Sequence, residues 1–405
     1  MTVLKQMSWY TTGNITTLFC QWIIIMLIPK ITNFSDAGIF AVAISVASII
    51  NQIATFSLNT YQVADRYEKF NQNSYAITRL TTIAISFICI VPIVIVFDYN
   101  LEQILIIIAY SIYRNLINYA YLHISSLQLE GHLEIAGKAM TIEGIASILS
   151  FISTYIITSN LLISTTVMAV IGGGLFVILM VHHHTRITGK TFKPDLNNHS
   201  QVRSMLIIGF PLLVSTLAPI IITALPKLIL ENNWGTEIVG IFSTLTAPTI
   251  VVPTVITSIF APLVVHFSLI CKSGDIKRLR VQYTKVLLLI IMTSILGFVI
   301  SFVSSNLIFE LIYGSEISPY THFFDILIIG IFAYSIGICS ITILITKDQG
   351  KIAGFSATIS CIISTVIFLV TIPNEGMDGA VWGLLAAYII FGLSETVCAY
   401  LPFNK

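Results

Sequence analysis

Charge is what this chain has least of. Lysine, arginine, aspartate and glutamate together make up 10% of its 405 residues, where soluble domains carry about 25%. That scarcity excludes an ordinary water-facing globular surface. The formal net charge is +1, so bulk electrostatics offer nucleic acid nothing to hold and no nucleic-acid partner is expected. Cysteine is also sparse. Five of the six (Cys20, Cys89, Cys339, Cys361, Cys398) fall inside apolar runs and Cys271 sits just beyond one. None pairs with another at metal-ligand spacing, so all six read as small packing residues, with no metal site and no cofactor. Long polar loops are missing too. No D-x-D pair, G-x-x-x-x-G-K run or nucleophile triad occupies those that exist, so no catalytic residue is assigned and no enzyme is expected.

What is present is hydrophobic. The composition is 56% apolar with a mean hydropathy of +0.92. Apolar runs repeatedly reach about 20 residues, enough to cross a roughly 30 Å hydrocarbon core as a helix. A helix satisfies its own backbone hydrogen bonds, which lipid cannot do, and the alternation of a membrane β-barrel is absent. The expectation is an all-α integral membrane protein of about twelve spans: 9–30, 37–59, 77–97, 101–127, 136–158, 161–181, 203–228, 237–267, 283–304, 321–346, 351–372 and 379–402. The run from Trp9 to Ile28 has no small-residue cleavage site after it and reads as a first span, not a removable signal.

Charge placement then orients the spans. With the N-terminus cytoplasmic, every lysine and arginine except Lys30, Arg114 and Lys227 falls on the cytoplasmic side. The opposite loops carry Asp36, Asp98, Glu102, Glu231, Glu237, Glu310, Glu316, Glu375 and Asp378. A wrong span count would scramble this asymmetry, so the positive-inside rule predicts both termini in the cytoplasm.

A weak repeat recurs about 200 residues on, as in transporters built from parallel halves. Pro29-Lys30 followed by Gly38-Ile39-Phe40 is echoed by Pro226-Lys227 followed by Gly240-Ile241-Phe242. The expected organisation is a six-helix bundle over 1–181, a basic cytoplasmic linker over 182–202 and a second six-helix bundle over 203–405.

Within the spans, polar residues stand out because a charge at the bilayer centre costs about 2.5–3.5 kcal/mol on insertion scales. Arg114 lies midway along its span. Ser111, Arg114, Asn118, Tyr121, Ser125 and Gln128 recur at three- and four-residue steps, a single helical stripe. Glu143, Ser147, Ser150 and Thr154 form another, and Ser45, Ser48, Gln52, Thr55 and Asn59 a third, while the first span adds Asn14 and Gln21. Such faces line a water-accessible cavity or bond helix to helix. For Arg114, permanently charged, the cavity reading is favoured, with an anion as partner. Glu143 is the intramolecular alternative, but it lies about 10 Å from the cytoplasmic side and Arg114 about 20 Å, at 1.5 Å per residue. The cavity candidates are therefore Arg114, Lys30, Lys227, Asn14, Gln21, Gln52, Asn118 and Tyr121. Lys30 and Lys227 either snorkel to the outer interface or meet an anionic substrate. Glu143 and Glu395, buried carboxyls in opposite halves, are candidates for ion coupling or for structural hydrogen bonds.

Pro211, Pro219, Pro226, Pro248, Pro253 and Pro262 crowd the seventh and eighth spans and predict bends there. His182-His183-His184 reads as an interface tract without acidic partners. Gly172-Gly173-Gly174 reads as a close helix contact.

Several stretches, in order along nearly the whole chain, resemble the polysaccharide flippases of the multidrug/oligosaccharidyl-lipid/polysaccharide (MOP) exporter superfamily. They are Ser8-Trp9-Tyr10 with Gly13-Asn14 and Gln21-Trp22; Asn59 through Asp65; Gly131 through Lys138; Leu311 through Pro319; and Gly376 through Gly383. The resemblance, to O-antigen (Wzx-type) flippases, implies a bacterial cytoplasmic-membrane protein with two six-helix bundles. It implies a substrate of undecaprenyl-diphosphate-linked oligosaccharide passed to the outer leaflet by alternating access. Further implied partners are a coupling H+ or Na+, the bilayer, and the polysaccharide polymerase and chain-length machinery. The family has no strict catalytic signature, so the site candidates rest on the membrane argument. The rivals are a cation-drug exporter of the same superfamily, a peptidoglycan-precursor flippase, and a membrane glycan polymerase or ligase.

Overall fold

In a computed structural model, residues 3–64, 70–189, 191–192, 199–273 and 275–401 are described. Arg66, Lys69, Lys190, Lys193 and Lys405 of the basic side, part of the 182–202 linker, and Asp65 of the resembling stretch lie outside them. Among the described residues there is no strand; the chain is helical almost throughout.

The helices are α1 (Val3–Ile31), α2 (Phe34–Thr55), α3 (Leu58–Ala64), α4 (Gln72–Ile88), α5 (Ile90–Phe97), α6 (Leu101–Leu129), α7 (Leu133–Thr158), α8 (Leu161–Met168) and α9 (Gly174–Thr188). They continue as α10 (His199–Trp234), α11 (Thr236–Thr246), α12 (Val251–Ser273), α13 (Ile276–Tyr313), α14 (Thr321–Thr346), α15 (Gly350–Glu375) and α16 (Met377–Ala399). Eleven stretches among the described residues are long and apolar enough to cross a membrane. The twelfth, α6, has the length, but its polar stripe dilutes the run. The protein is a multi-pass, all-α membrane protein.

The span over 321–346 coincides with α14, and those over 351–372 and 379–402 lie within three residues of α15 and α16. Others run longer than hydropathy alone predicts. α13 extends to Ile276, where Asp275 caps it by accepting from the Arg278 amide at 2.9 Å. Lys277, Arg278 and Arg280 ride on the added turns, because lysine and arginine are good helix formers and helices do not stop where lipid does. The 237–267 span is interrupted at Pro248, where a 3-10 turn (Ala247–Ile250) separates α11 from α12. α10 stays helical through Pro211, Pro219 and Pro226.

Two compact units emerge: one is Met1–Ile28 with Ile39–Leu213, the other Pro29–Gly38 with Val214–Lys405. In the first, α1 and α7 meet backbone to backbone. A Cβ at Gly13 would overlap the Gly137 carbonyl, and one at Gly137 the Trp9 carbonyl. Phe40, Tyr110 and Phe151 form an aromatic core beside them, with centroids 5.2–5.4 Å from Phe40. Of the triple-glycine run, Gly172 faces Ser147 and Gly173 faces Leu116 and Tyr113, inside a π-helical turn (Ala169–Gly173). The close-packing expectation fits that placement.

In the second unit the repeated glycines touch the same kind of partner. A Cβ on Gly38 would strike the Thr236 carbonyl, and one on Gly240 the Phe34 carbonyl. Thr236 and Phe34 are themselves equivalent positions of the repeat, so the contact is reciprocal. Ser35 and Thr236 add a hydroxyl hydrogen bond at 2.7 Å. Lys347, in the short turn between α14 and α15, donates to the Ala399 and Leu401 carbonyls at the end of α16. Burial lowers its ammonium pKa, Cys271 raises it and Arg280 lowers it again. A lysine there complements the helix C-terminus.

Candidate functional site

The first unit gathers a polar cluster on α1, α6 and α7. Glu143 is 1% exposed, and neutral donors serve both its oxygens. Tyr113 and Ser147 donate to Oε1, Ser147 at 2.9 Å, and Thr17 donates to Oε2 at 3.2 Å. Thr17 reaches it because Gly144 lets α1 approach: a Cβ there would lie 3.0 Å from the Thr17 Cα. Ser147 and Tyr113 are the residues against which the π-helical glycines pack, so helix spacing and hydrogen bonding fix the carboxyl together.

Arg114 is half-buried one residue after Tyr113. It acts electrostatically on Tyr110, Tyr121 and Glu143. Among the described residues, however, it has no carboxylate within ion-pair distance and no hydrogen-bond partner. A guanidinium offers five N–H donors and cannot shed its proton. In a membrane helix such a charge is costly and usually faces the bundle interior or a water-filled cavity.

The remaining candidates divide. Tyr121 is half-buried within electrostatic range of Tyr10 and Arg114. Asn14 is exposed; Gln21 and Gln52 are half-buried. Asn118 is buried, and its Oδ1 accepts a 2.6 Å hydrogen bond from Arg79. In the second unit Lys30 is exposed, while Lys227 is half-buried with no hydrogen-bond or ion-pair partner among the described residues. Glu395 is 0% exposed; its Oε1 accepts from Ser356 at 2.8 Å, and its Oε2 has no partner among the described residues. The two candidate carboxyls thus differ: Glu143 is saturated with donors and Glu395 is not.

Sequence reasoning missed Arg79. Its position two residues into the 77–97 span suggests a basic-side residue, but α4 begins at Gln72 and carries Arg79 inward to 0% exposure. Its guanidinium donates to the carbonyls of Ala54 (3.3 Å) and Thr55 (3.0 Å), to Asn118 and to Asn59. Those carbonyls are free because α2 breaks at Phe56 and Ser57, both left-handed with φ of 47° and 55°. Ser74, Thr78, Arg79, Thr82 and Ser86, all buried, form a stripe that would have shown Arg79 facing inward. Tyr113 and Thr17, both on Glu143, were missed as well. His184, from the histidine tract, is buried beside His123 with ring centroids 4.9 Å apart, and bonds Ser126 at 3.0 Å.

No family model matches the chain. A capsular polysaccharide biosynthesis protein, CapF of Staphylococcus aureus, is 22% identical over 245 residues, which are 60% of this chain and 60% of that protein's length. The fold matches solved transporters more fully. An inward-facing multidrug-resistance MATE-family transporter of the MOP superfamily superimposes with a TM-score of 0.69 at 12% identity, covering 98% of this chain and 97% of that one. The Vibrio cholerae MATE transporter VcmN in its bent form gives 0.61 at 12% identity, covering 98% and 97%. A MOP-superfamily transporter of Pyrococcus furiosus, described as having a binding pocket of reverse polarity that suggests a different function, gives 0.54 at 13%, covering 98% and 92%. The chain therefore has the MATE-like transporter fold.

Proposed function

We propose that the protein is a flippase. It carries undecaprenyl-diphosphate-linked oligosaccharide, an O-antigen or similar surface-polysaccharide repeat unit, from the cytoplasmic to the outer leaflet of a bacterial cytoplasmic membrane. Arg114 carries this reading: a permanent cation in mid-helix, without an anionic partner among the described residues, next to an acid whose needs are already met. A diphosphate supplies the missing anion, and guanidinium binds phosphate oxygens in a bidentate manner. Tyr121, Gln21 and Gln52 offer hydrogen bonds to sugar, while the apolar tail stays in lipid. The partial likeness to a capsular polysaccharide biosynthesis protein supports the same substrate class. On this reading both termini are cytoplasmic, the two halves alternate access, and no bond in the substrate is made or broken.

A MATE-type cation or drug antiporter is the second reading, favoured by the fold of the superimposed transporters and by the buried acids Glu143 and Glu395. Deleting the protein from its host separates the two. The flippase reading expects lipid-linked repeat units to accumulate on the cytoplasmic face with unchanged drug susceptibility. Drug hypersensitivity with normal surface glycan supports the antiporter.

A further inference from the structure

Away from the Arg114 cluster, the first unit has a groove of about 370 Å³ lined by Phe56, Ile85, Arg203, Leu206, Ile207 and Phe210. Three features distinguish it from ordinary lipid-facing surface. Its aromatic wall, Phe56, belongs to the left-handed pair that ends α2. Two successive non-glycine residues in that conformation cost of order 1–3 kcal/mol each, and such strain clusters at ligand sites. Here Arg79 braces the break by holding the carbonyls of Ala54 and Thr55. Second, Gly209 clears space for the Phe56 ring, whose Cδ1 would lie 3.0 Å from a Cβ at that position. Third, Arg203 is exposed at the rim with no hydrogen-bond or ion-pair partner among the described residues.

The groove is polar at one end only. Arg203 lies one turn into α10, and Phe210, 57% exposed, lies about 10 Å further along the helix at 1.5 Å per residue. Between them is Ile207, 63% exposed. α4 is tied to this part of α10 by hydrogen bonds from Ser74 to Gln201 at 2.6 Å and from Thr78 to the Met205 sulfur at 3.3 Å. These bonds hold the two helices that supply Ile85 and Arg203 to Phe210 against one another. An arginine at the basic end above a shallow, braced apolar groove matches a lipid with a phosphate at the cytoplasmic interface and a hydrocarbon tail below it.

The geometry points to this groove as a docking site for the polyprenyl tail and proximal phosphate of a polyprenyl-diphosphate lipid in the cytoplasmic leaflet, with Arg203 on the phosphate. The identity of that lipid rests on the flippase reading; the groove itself does not. It is a site for the substrate's lipid end, separate from the Arg114 cluster.

The test is lipid binding to the purified full chain, measured by native mass spectrometry against two probes, an undecaprenyl diphosphate and a dioleoyl phosphatidylglycerol. Wild type is expected to prefer the polyprenyl probe. Arg203→Ala should weaken that binding about fivefold, the worth of one cation beside an anionic lipid. Ile207→Trp, which fills the shallow groove and leaves the charge, should weaken it at least as much. Arg278→Ala, which removes an exposed cation of the second unit, should leave it unchanged, so the Arg203 effect is read separately from a general loss of charge. Equal binding of both probes overturns the polyprenyl assignment. Wild-type affinity in both Arg203→Ala and Ile207→Trp, with each variant at normal thermal stability, overturns the groove.

Discussion

Removing the Arg79 guanidinium should unfasten the junction between α2 and α3. In Arg79→Ala, Thr55 O, Asn118 Oδ1 and Asn59 Oδ1 lose their donor inside the first unit, whereas Ala54 O keeps the Thr82 hydroxyl at 2.7 Å. A buried acceptor left alone costs about 1–3 kcal/mol, while hydrogen bonds measured within membrane proteins average nearer 0.6 kcal/mol. Three orphaned acceptors, offset by no longer burying a charge, therefore come to about 2–4 kcal/mol. Arg79→Lys should recover about half of that, since one ammonium cannot span four acceptors as a planar fork does. Asn118→Ala should cost only about 1 kcal/mol. Reversible unfolding in mixed detergent measures all three, and hydrogen exchange at the amides of residues 54–59 localises the loss. Arg79→Ala within about 0.5 kcal/mol of wild type, the range of an ordinary surface change, would refute the bracing argument.

Further expectations concern packing, coupling and orientation. Gly137→Leu should sharply reduce the amount of folded protein in membranes, because its side chain has nowhere to go but into the α1 backbone; Gly174→Ala, with nothing within 4 Å to meet and a right-handed helical backbone, is the milder comparison. If protons drive transport through Glu395, Glu395→Gln should insert normally and lose the response to a pH gradient. Glu143→Gln should also disturb the donors Tyr113, Ser147 and Thr17, and so lower thermal stability; an unchanged ion response in both variants leaves the two carboxyls structural. Cysteines placed at Asn73 and Thr191 should label only from the cytoplasm, and those at Asn232 and Glu316 only from outside. Reversal at any one of them breaks the orientation inferred from charge.

The spans were legible because each is long, apolar and ended by polar residues; α14 was located to the residue. Ends were misjudged where helices continue through basic flanks, as α13 does, since hydropathy reports lipid and not helix propensity. The α2 break was invisible: Phe56-Ser57 contains neither glycine nor proline, and tertiary bonds from Arg79 hold it. The same blind spot hid Arg79. A basic residue near a predicted span end looks solvated until the helix start moves several residues outward and turns it into the core. Periodicity places Asn118 on the Arg114 stripe, but it identifies a face and not the partner, which for the Asn118 oxygen is Arg79. Glycines read as close contacts at Gly172 and Gly173 sit against Ser147 and Tyr113. That they also position the donors to Glu143 needed three dimensions.

The substrate role of Arg114 is tested most directly by surface-glycan display in a host carrying Arg114→Ala or Arg114→Lys, with membrane level measured alongside. The account predicts that Arg114→Ala, at normal level, abolishes display and leaves lipid-linked repeat units on the cytoplasmic face. Arg114→Lys, which keeps the charge and loses the fork, should retain partial display. Full display by well-expressed Arg114→Ala would contradict it.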